Sequence, residues 1–179
     1  MTGTGKHLLQ VDFVSPEGRK ERLWAEANDA NQACILSVPV WIYGVSAGSI
    51  VRKEPGTINP EVIRLSPGAT VRFLVSEGRS GKDVYLSRVV PDLRKLKLGV
   101  GPATFFGPRL VALHVHERET WWPEIGTYLD GLIEEGLIEQ WEAGDPDQGA
   151  VAEIGAQHAH ESVLEHPLPV DAPWATELG

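Results

Sequence analysis

Leu23-Trp24-Ala25-Glu26, then Ser37-Val38-Pro39, then Tyr43-Gly44-Val45-Ser46-Ala47-Gly48-Ser49-Ile50-Val51 reads as three short strands joined by tight turns. In the first run Leu23 and Ala25 face one way while Arg22, Trp24 and Glu26 face the other, the two-residue period of a half-buried strand. Upstream, Leu8 to Val14 is a matching strand. Ser15-Pro16-Glu17-Gly18 joins the two as a turn, since proline presets φ and glycine accepts positive φ. Downstream, Cys34 to Tyr43 is apolar enough for a central strand, with Pro39 forcing a bulge or a break in its ladder. Ser49 to Glu54, Val62 to Leu65 and Thr70 to Ser76 continue the pattern across Pro55-Gly56 and Ser66-Pro67-Gly68. Residues 1–82 are therefore expected to form an all-β subdomain, a small curled sheet or partial barrel.

The pattern changes after that. Asp83 to Val90 alternates as a strand, and Pro91-Asp92 opens a short helix with Leu93, Leu96 and Val100 on its apolar side and Gly99 as its stop. A Gly/Pro loop over 99–108 leads to a strand from Leu110 to His116. Pro123-Glu124 begins the clearest helix, with Ile125, Tyr128, Leu129, Leu132 and Ile133 at helical spacing and Gly136 as its cap. Leu137 to Trp141 returns as a strand. Residues 83–142 thus predict an α+β subdomain of ferredoxin-like, split β-α-β type. Both helices lie on one face of its sheet and the N-terminal β unit covers the other. The overall class is α+β.

Charge separates the last part of the chain. The net charge is −9, and residues 143–179 hold seven acidic residues (Asp145, Asp147, Glu153, Glu161, Glu165, Asp171, Glu177) with no lysine or arginine. All 16 basic residues fall in the rest of the chain, against 18 acidic ones, so the folded part is nearly balanced. The tail is expected to be flexible or loosely docked, with a short helix between Val151 and Leu164. No basic stripe of the kind nucleic acid requires is visible. Met1 to Lys6 lacks the apolar core of an export signal, and no run approaches the roughly 20 apolar residues of a membrane helix. The lone Cys34 has no internal disulfide partner and suits a reducing compartment, so a cytoplasmic protein is expected.

Several motifs invite chemistry. Gly44-Val45-Ser46-Ala47-Gly48 matches the G-x-S-x-G nucleophile elbow by letter, but an elbow must lead into a helix, and Ser49 to Glu54 is strand-like and ends at Pro55. A glycine-rich turn between strands is the expected reading, with Ser46 kept as nucleophile of an alternative serine hydrolase using His114 or His116. Gly3-Thr4-Gly5-Lys6 has no strand before it, and Gly78-Arg79-Ser80-Gly81-Lys82 lacks the spacing and hydroxyl of a phosphate loop. His114 and His116, two apart on a strand, share a face and form an alternative metal or small-ligand site, without a third ligand at a diagnostic spacing. His158, His160 and His166 sit in the tail, where only adventitious metal binding is expected. Cys34 has apolar neighbours and reads as a small core residue. Trp24, Trp41 and Trp141 suit half-buried positions at a core or seam, whereas Trp121-Trp122 reads as a staple at a helix start.

Leu23-Trp24-Ala25-Glu26, Pro39 with Trp41, Tyr43-Gly44-Val45-Ser46 with Gly48 and Ile50-Val51-Arg52, the Arg79-Ser80-Gly81 turn and the final helix-Gly-strand (Leu129 to Trp141) occur in this order. The set resembles the bacterial domain of unknown function 4265 family over about residues 8–142. The chain departs from the family pattern at Ser49, where Asp is usual, and at Lys82-Asp83, where His or a small polar residue is common. The resemblance implies topology and supplies no catalytic residues. The expected function is a non-catalytic binding, regulatory or immunity-like accessory module, with no cofactor and no metal. Its protein partner is expected at a seam around Trp41, Tyr43 and the 99–108 loop.

Overall fold

The computed structural model describes residues 7–116, 118–144 and 164–165, which form two antiparallel sheets and a few helices, with one short parallel pairing. The first sheet has the order β1 (Leu8–Val14), β2 (Lys20–Ala27), β3 (Gln32–Ile35), β4 (Ile50–Arg52), β5 (Glu61–Arg64). The Pro16–Gly18 turn closes β1 onto β2 in full register, from Leu8 opposite Glu26 to Val14 opposite Lys20. The sheet curls until its two ends meet. Asn59, just before β5, accepts from the Val14 amide at 2.7 Å and donates to the Val14 carbonyl at 2.8 Å, so its side-chain amide stands in for a neighbouring strand. Val11, Phe13, Leu23, Ala25, Ala33, Ile35 and Val51 fill the interior.

The second sheet has the order β7 (Val100–Phe106), β8 (Leu110–Val115), β6 (Ala69–Val75), β9 (Ile138–Ala143). Two helical connections cross it: α1 (Gly81–Val84) and α2 (Val90–Lys95), joined by a π-helical turn (Tyr85–Val89), between β6 and β7, and α3 (Arg118–Glu134) between β8 and β9. Val71, Phe73, Val75, Val111, Leu113 and Val115 face these helices. They pack on Val89, Leu93, Ile125, Leu129 and Leu132.

The structure corrects several expectations. Residues 83–90 are helical, not a strand. The Ser80 hydroxyl caps the first turn by accepting from the Asp83 amide, and Tyr85, Val89 and Leu93, four apart, form one buried stripe that a two-residue alternation also fits. The Val90 amide reaches back to the Tyr85 carbonyl, the wide turn that leads into Pro91. The first strand of the second sheet is therefore β6, and the division between the sheets falls between β5 and β6, not after residue 82. The expected 99–108 loop contains β7. Helix α3 begins at Arg118, upstream of Pro123, and its Ile133 is exposed. The segment Cys34 to Tyr43 is strand only as far as Ile35. From Leu36 to Ser49 the chain is irregular and lies between the sheets, with Val38, Val40 and Ala47 packed on Leu110 and Ala112 while Ile42 and Val45 join the interior of the first sheet.

Of the tail, Leu164–Glu165 forms a two-residue strand, β10, parallel to β2. The expected helix from Val151 lies otherwise outside the described residues, as do His158, His160, His166 and Trp174 and the side chains of Trp121 and Trp122. Among the described residues, no helix is long and apolar enough to cross a membrane.

Candidate functional site

The face of the second sheet turned away from its helices carries Thr70, Arg72 and Leu74 from β6 and Leu110, Ala112 and His114 from β8. Strand alternation fixes this set, because the odd-numbered residues of both strands face the helices. Three of the six are polar and almost fully buried. Burying them is costly unless they are paired, so their partners define the seam.

Arg72 is matched mainly to a backbone. It donates from Nε to the Val40 carbonyl at 2.6 Å and from Nη2 to the carbonyls of Pro39 (3.1 Å) and Ile42 (2.9 Å). From the other side the buried carboxylate of Glu21 on β2 accepts from the amides of Val40 (2.7 Å), Trp41 (2.8 Å) and Ile42 (3.2 Å). The amides of residues 40–42 and the carbonyls of Pro39, Val40 and Ile42 are thus satisfied by two side chains instead of a neighbouring strand. Pro39, without an N–H, costs this arrangement nothing.

Trp41 lies within the gripped segment and Tyr43 follows it. The Arg72 guanidinium lies 4.4 Å from the centre of the Tyr43 ring, and the Tyr43 hydroxyl donates to Glu142, which stands opposite Arg72 on β9. Burial raises the Tyr43 phenol above its usual pKa; the Arg72 charge opposes this and the bond to Glu142 reinforces it. Trp41 is half-buried, edge-on to Phe106 with ring centres 4.7 Å apart, and Arg19 sits 5.0 Å from the centre of its indole. Turn β1–β2, the seam segment and the β7–β8 hairpin meet here in a partly exposed cluster of Arg and aromatic groups.

At the other end of the seam lie the two histidines. His114 is 3% exposed, directly opposite Thr70, with its ring between Gly68 and Gly101, where any added Cβ would collide with it. Burial, then the neighbouring His116, pushes its imidazole down to about 3, so it is neutral at ordinary pH. His116 stands edge-on to it, with ring centres 4.8 Å apart. Nδ1 of His114 and Oγ1 of Thr70 are both buried and find no hydrogen-bond partner among the described residues. Among the described residues, no three histidine, cysteine or acidic groups converge as a metal site.

Ser46 is buried, and its hydroxyl donates to the Gly68 carbonyl at 3.4 Å. The turn around it is held by Ser49, whose Oγ accepts from the amides of Ser46 and Ser66, both at 3.2 Å. Gly48 takes a positive φ and the chain enters β4, so the strand-turn-helix of a nucleophile elbow is not built. Cys34, expected in the core, is half-buried on β3.

A model of the domain of unknown function 4265 matches residues 21–140, two thirds of the sequence. The chain belongs to that family. The match spans Glu21, Trp41, Tyr43, Arg72, His114 and His116 and stops just short of Glu142. No curated protein matches. The crystal structure of a hypothetical protein from Neisseria gonorrhoeae is similar in fold, with a TM-score of 0.53 and 14% identity over 80% of this chain and 97% of that one.

In this family member the seam brings Trp41 and Tyr43 together through Arg72 and Glu21, and keeps them apart from the His114–His116 pair, which instead adjoins Gly68, the acceptor of the Ser46 bond. Sequence reasoning missed Glu21, Arg72 and Glu142. The available signal was Arg72, the one charge in the run Ala69 to Val75, on the same strand face as Thr70 and Leu74. A separate cavity of about 420 Å³ opens at the end of the curled sheet, with Leu9, Val11, Ala33 and Val51 among its apolar walls and Asn31 and Lys53 at its rim.

Proposed function

We propose that this protein is a cytoplasmic bacterial binding module, regulatory or accessory in role, that receives a protein partner on the cluster of Arg19, Trp41, Tyr43 and Phe106. The observation that carries the reading is the Arg19 guanidinium stacked on the half-buried Trp41, itself seated on Phe106. Arginine and tryptophan on a rigid, partly desolvated support are the residue types that dominate binding energy at protein interfaces. Rigidity comes from the backbone bonds of Glu21 and Arg72 on either side of Trp41. Cys34, the single cysteine of the sequence, suits the reducing cytoplasm. Pull-down from the native host with the full chain and with Trp41→Ala tests it. A stoichiometric protein retained by the wild type and lost by the variant supports the patch; equal retention, or no partner at low and moderate salt, removes it.

The order β9-β6-β8-β7, antiparallel throughout with helical crossovers after β6 and β8, supports reading the second sheet as a ferredoxin-like unit. A second functional reading, binding of a small apolar ligand, is favoured by the cavity at the mouth of the first sheet, whose volume lies in the range of small-molecule sites. Ligand-dependent thermal shifts that Val51→Phe abolishes would support it.

A further inference from the structure

Strand β2 is covered on one edge along nearly its whole length by β1, but β3 pairs with it on the other edge only over Ala25–Ala27. One residue further, the Trp24 carbonyl accepts from the Leu36 and Ser37 amides and the Trp24 amide donates to the Ser37 hydroxyl. Beyond Trp24 the cover from β3 and its following turn ends. The main-chain groups next along that edge follow from the ladder. Val14 turns its amide and carbonyl away from β2 to Asn59, so its opposite number Lys20, and by alternation Arg22 and Trp24, turn theirs away from β1. The bonds of Trp24 agree with this.

At that point on the edge lies β10, parallel, with Leu164 opposite Glu21 and Glu165 opposite Arg22. It comes from far along the chain, since β9 ends at Ala143. Addition of an extended segment to a sheet edge is recognition through the main chain, which tolerates different side chains. The edge also adjoins the aromatic cluster, because the Glu21 carboxylate holds the Trp41 amide. Arg19, Lys20 and Arg22 follow one another closely at the start of β2, whereas the occupant reads Leu-Glu within a tail whose charged residues are all acidic.

We propose that the edge of β2 at Glu21–Arg22 is a strand-addition site for an extended acidic and apolar segment of a partner protein, with Leu164–Glu165 as the chain's own competing occupant. This deepens the binding reading above and rests on it for the existence of a partner. A tethered occupant acts at an effective concentration of the order of millimolar, so it masks a weak external peptide and yields to one that also gains the Trp41 cluster.

The test uses the full chain and the full chain carrying Leu164→Pro with Glu165→Pro, which removes two amides and stiffens the segment. The probe is a fluorescein-labelled peptide of residues 160–169, read by anisotropy. About tenfold or tighter binding to the double variant than to the wild type is expected from release of the tethered competitor. Exchange of the Arg22 amide should accelerate in the variant and slow again on adding peptide. Equal affinity for both chains overturns the proposal, as does an Arg22 amide indifferent to substitution and peptide. A wild-type dimer that the variant abolishes overturns it in favour of strand exchange between copies. If the proline variant loses the protection of β6 and β8, Leu164→Gly with Glu165→Gly puts the same question. The peptide assay needs no natural partner, so its failure is distinct from failure of the Trp41→Ala pull-down.

Discussion

Glu21 and Arg72, on different sheets, grip the same four residues from opposite poles: the carboxylate takes the amides of residues 40–42 and the guanidinium takes the carbonyls of Pro39, Val40 and Ile42. Each charge is almost fully buried. Removing one leaves main-chain groups orphaned and the other charge without its complement. Glu21→Ala and Arg72→Ala are each expected to lower unfolding stability by about 3–5 kcal/mol. In urea titrations of the double variant, the summed single effects should exceed the combined loss; strict additivity would show that the two residues do not act on one segment.

His114 gives stability a pH dependence of predictable sign. Its folded pKa, about 3, lies below the unfolded value near 6.5, so the unfolded chain binds the extra proton between those limits. Stability from this group is complete above about pH 6.5 and falls as pH drops toward the folded value, by up to about 1.4 kcal/mol per unit. His114→Phe keeps a ring between Gly68 and Gly101 but cannot titrate. Between pH 7 and 5 the wild type should lose about 2 kcal/mol more than the variant in chemical denaturation, and parallel profiles would refute this.

Asn59 closes the first sheet with one side chain. Asn59→Ala removes both bonds to Val14. Because the site is exposed, water replaces them, and the cost is about 1 kcal/mol. The local signature is more telling: exchange of the Val14 amide should accelerate while the amides of β6 and β8 stay protected. Unchanged Val14 exchange would mean that the curl does not depend on Asn59.

Ser46 donates one long bond to Gly68 from within a turn between strands. Ser46→Ala should therefore cost less than about 1 kcal/mol, and a fluorophosphonate probe should leave the wild-type protein unlabelled. Labelling lost in Ser46→Ala would restore the hydrolase reading.

How much was legible follows from where each residue's partners sit. The hairpin of β1 and β2, the strand at 69–75, the helix stripe Ile125, Leu129 and Leu132, and the stop at Gly136 all rest on contacts within a few residues or on alternation, and periodicity reports those directly. Residues 83–90 misled because Tyr85 and Val89, four apart, share a face in a strand and in a helix alike, and the Ser80 cap decided between them. Trp41 and Tyr43 stood out by type, but their neighbours Phe106, Arg72 and Glu142 lie 29 to 99 positions away, beyond any local pattern.

The α+β class, the family, the separation of an acidic tail from a nearly balanced body, and a serine turn without a following helix could all be read from the residues alone. These depend on composition and on short-range backbone preference. That β6 is a central strand of the second sheet, that residues 36–49 form the seam, and that Glu21 and Arg72 hold it emerge once the chain is folded. The reason is physical: buried main-chain groups must find partners, and an irregular segment finds them wherever folding brings a charged side chain to hand.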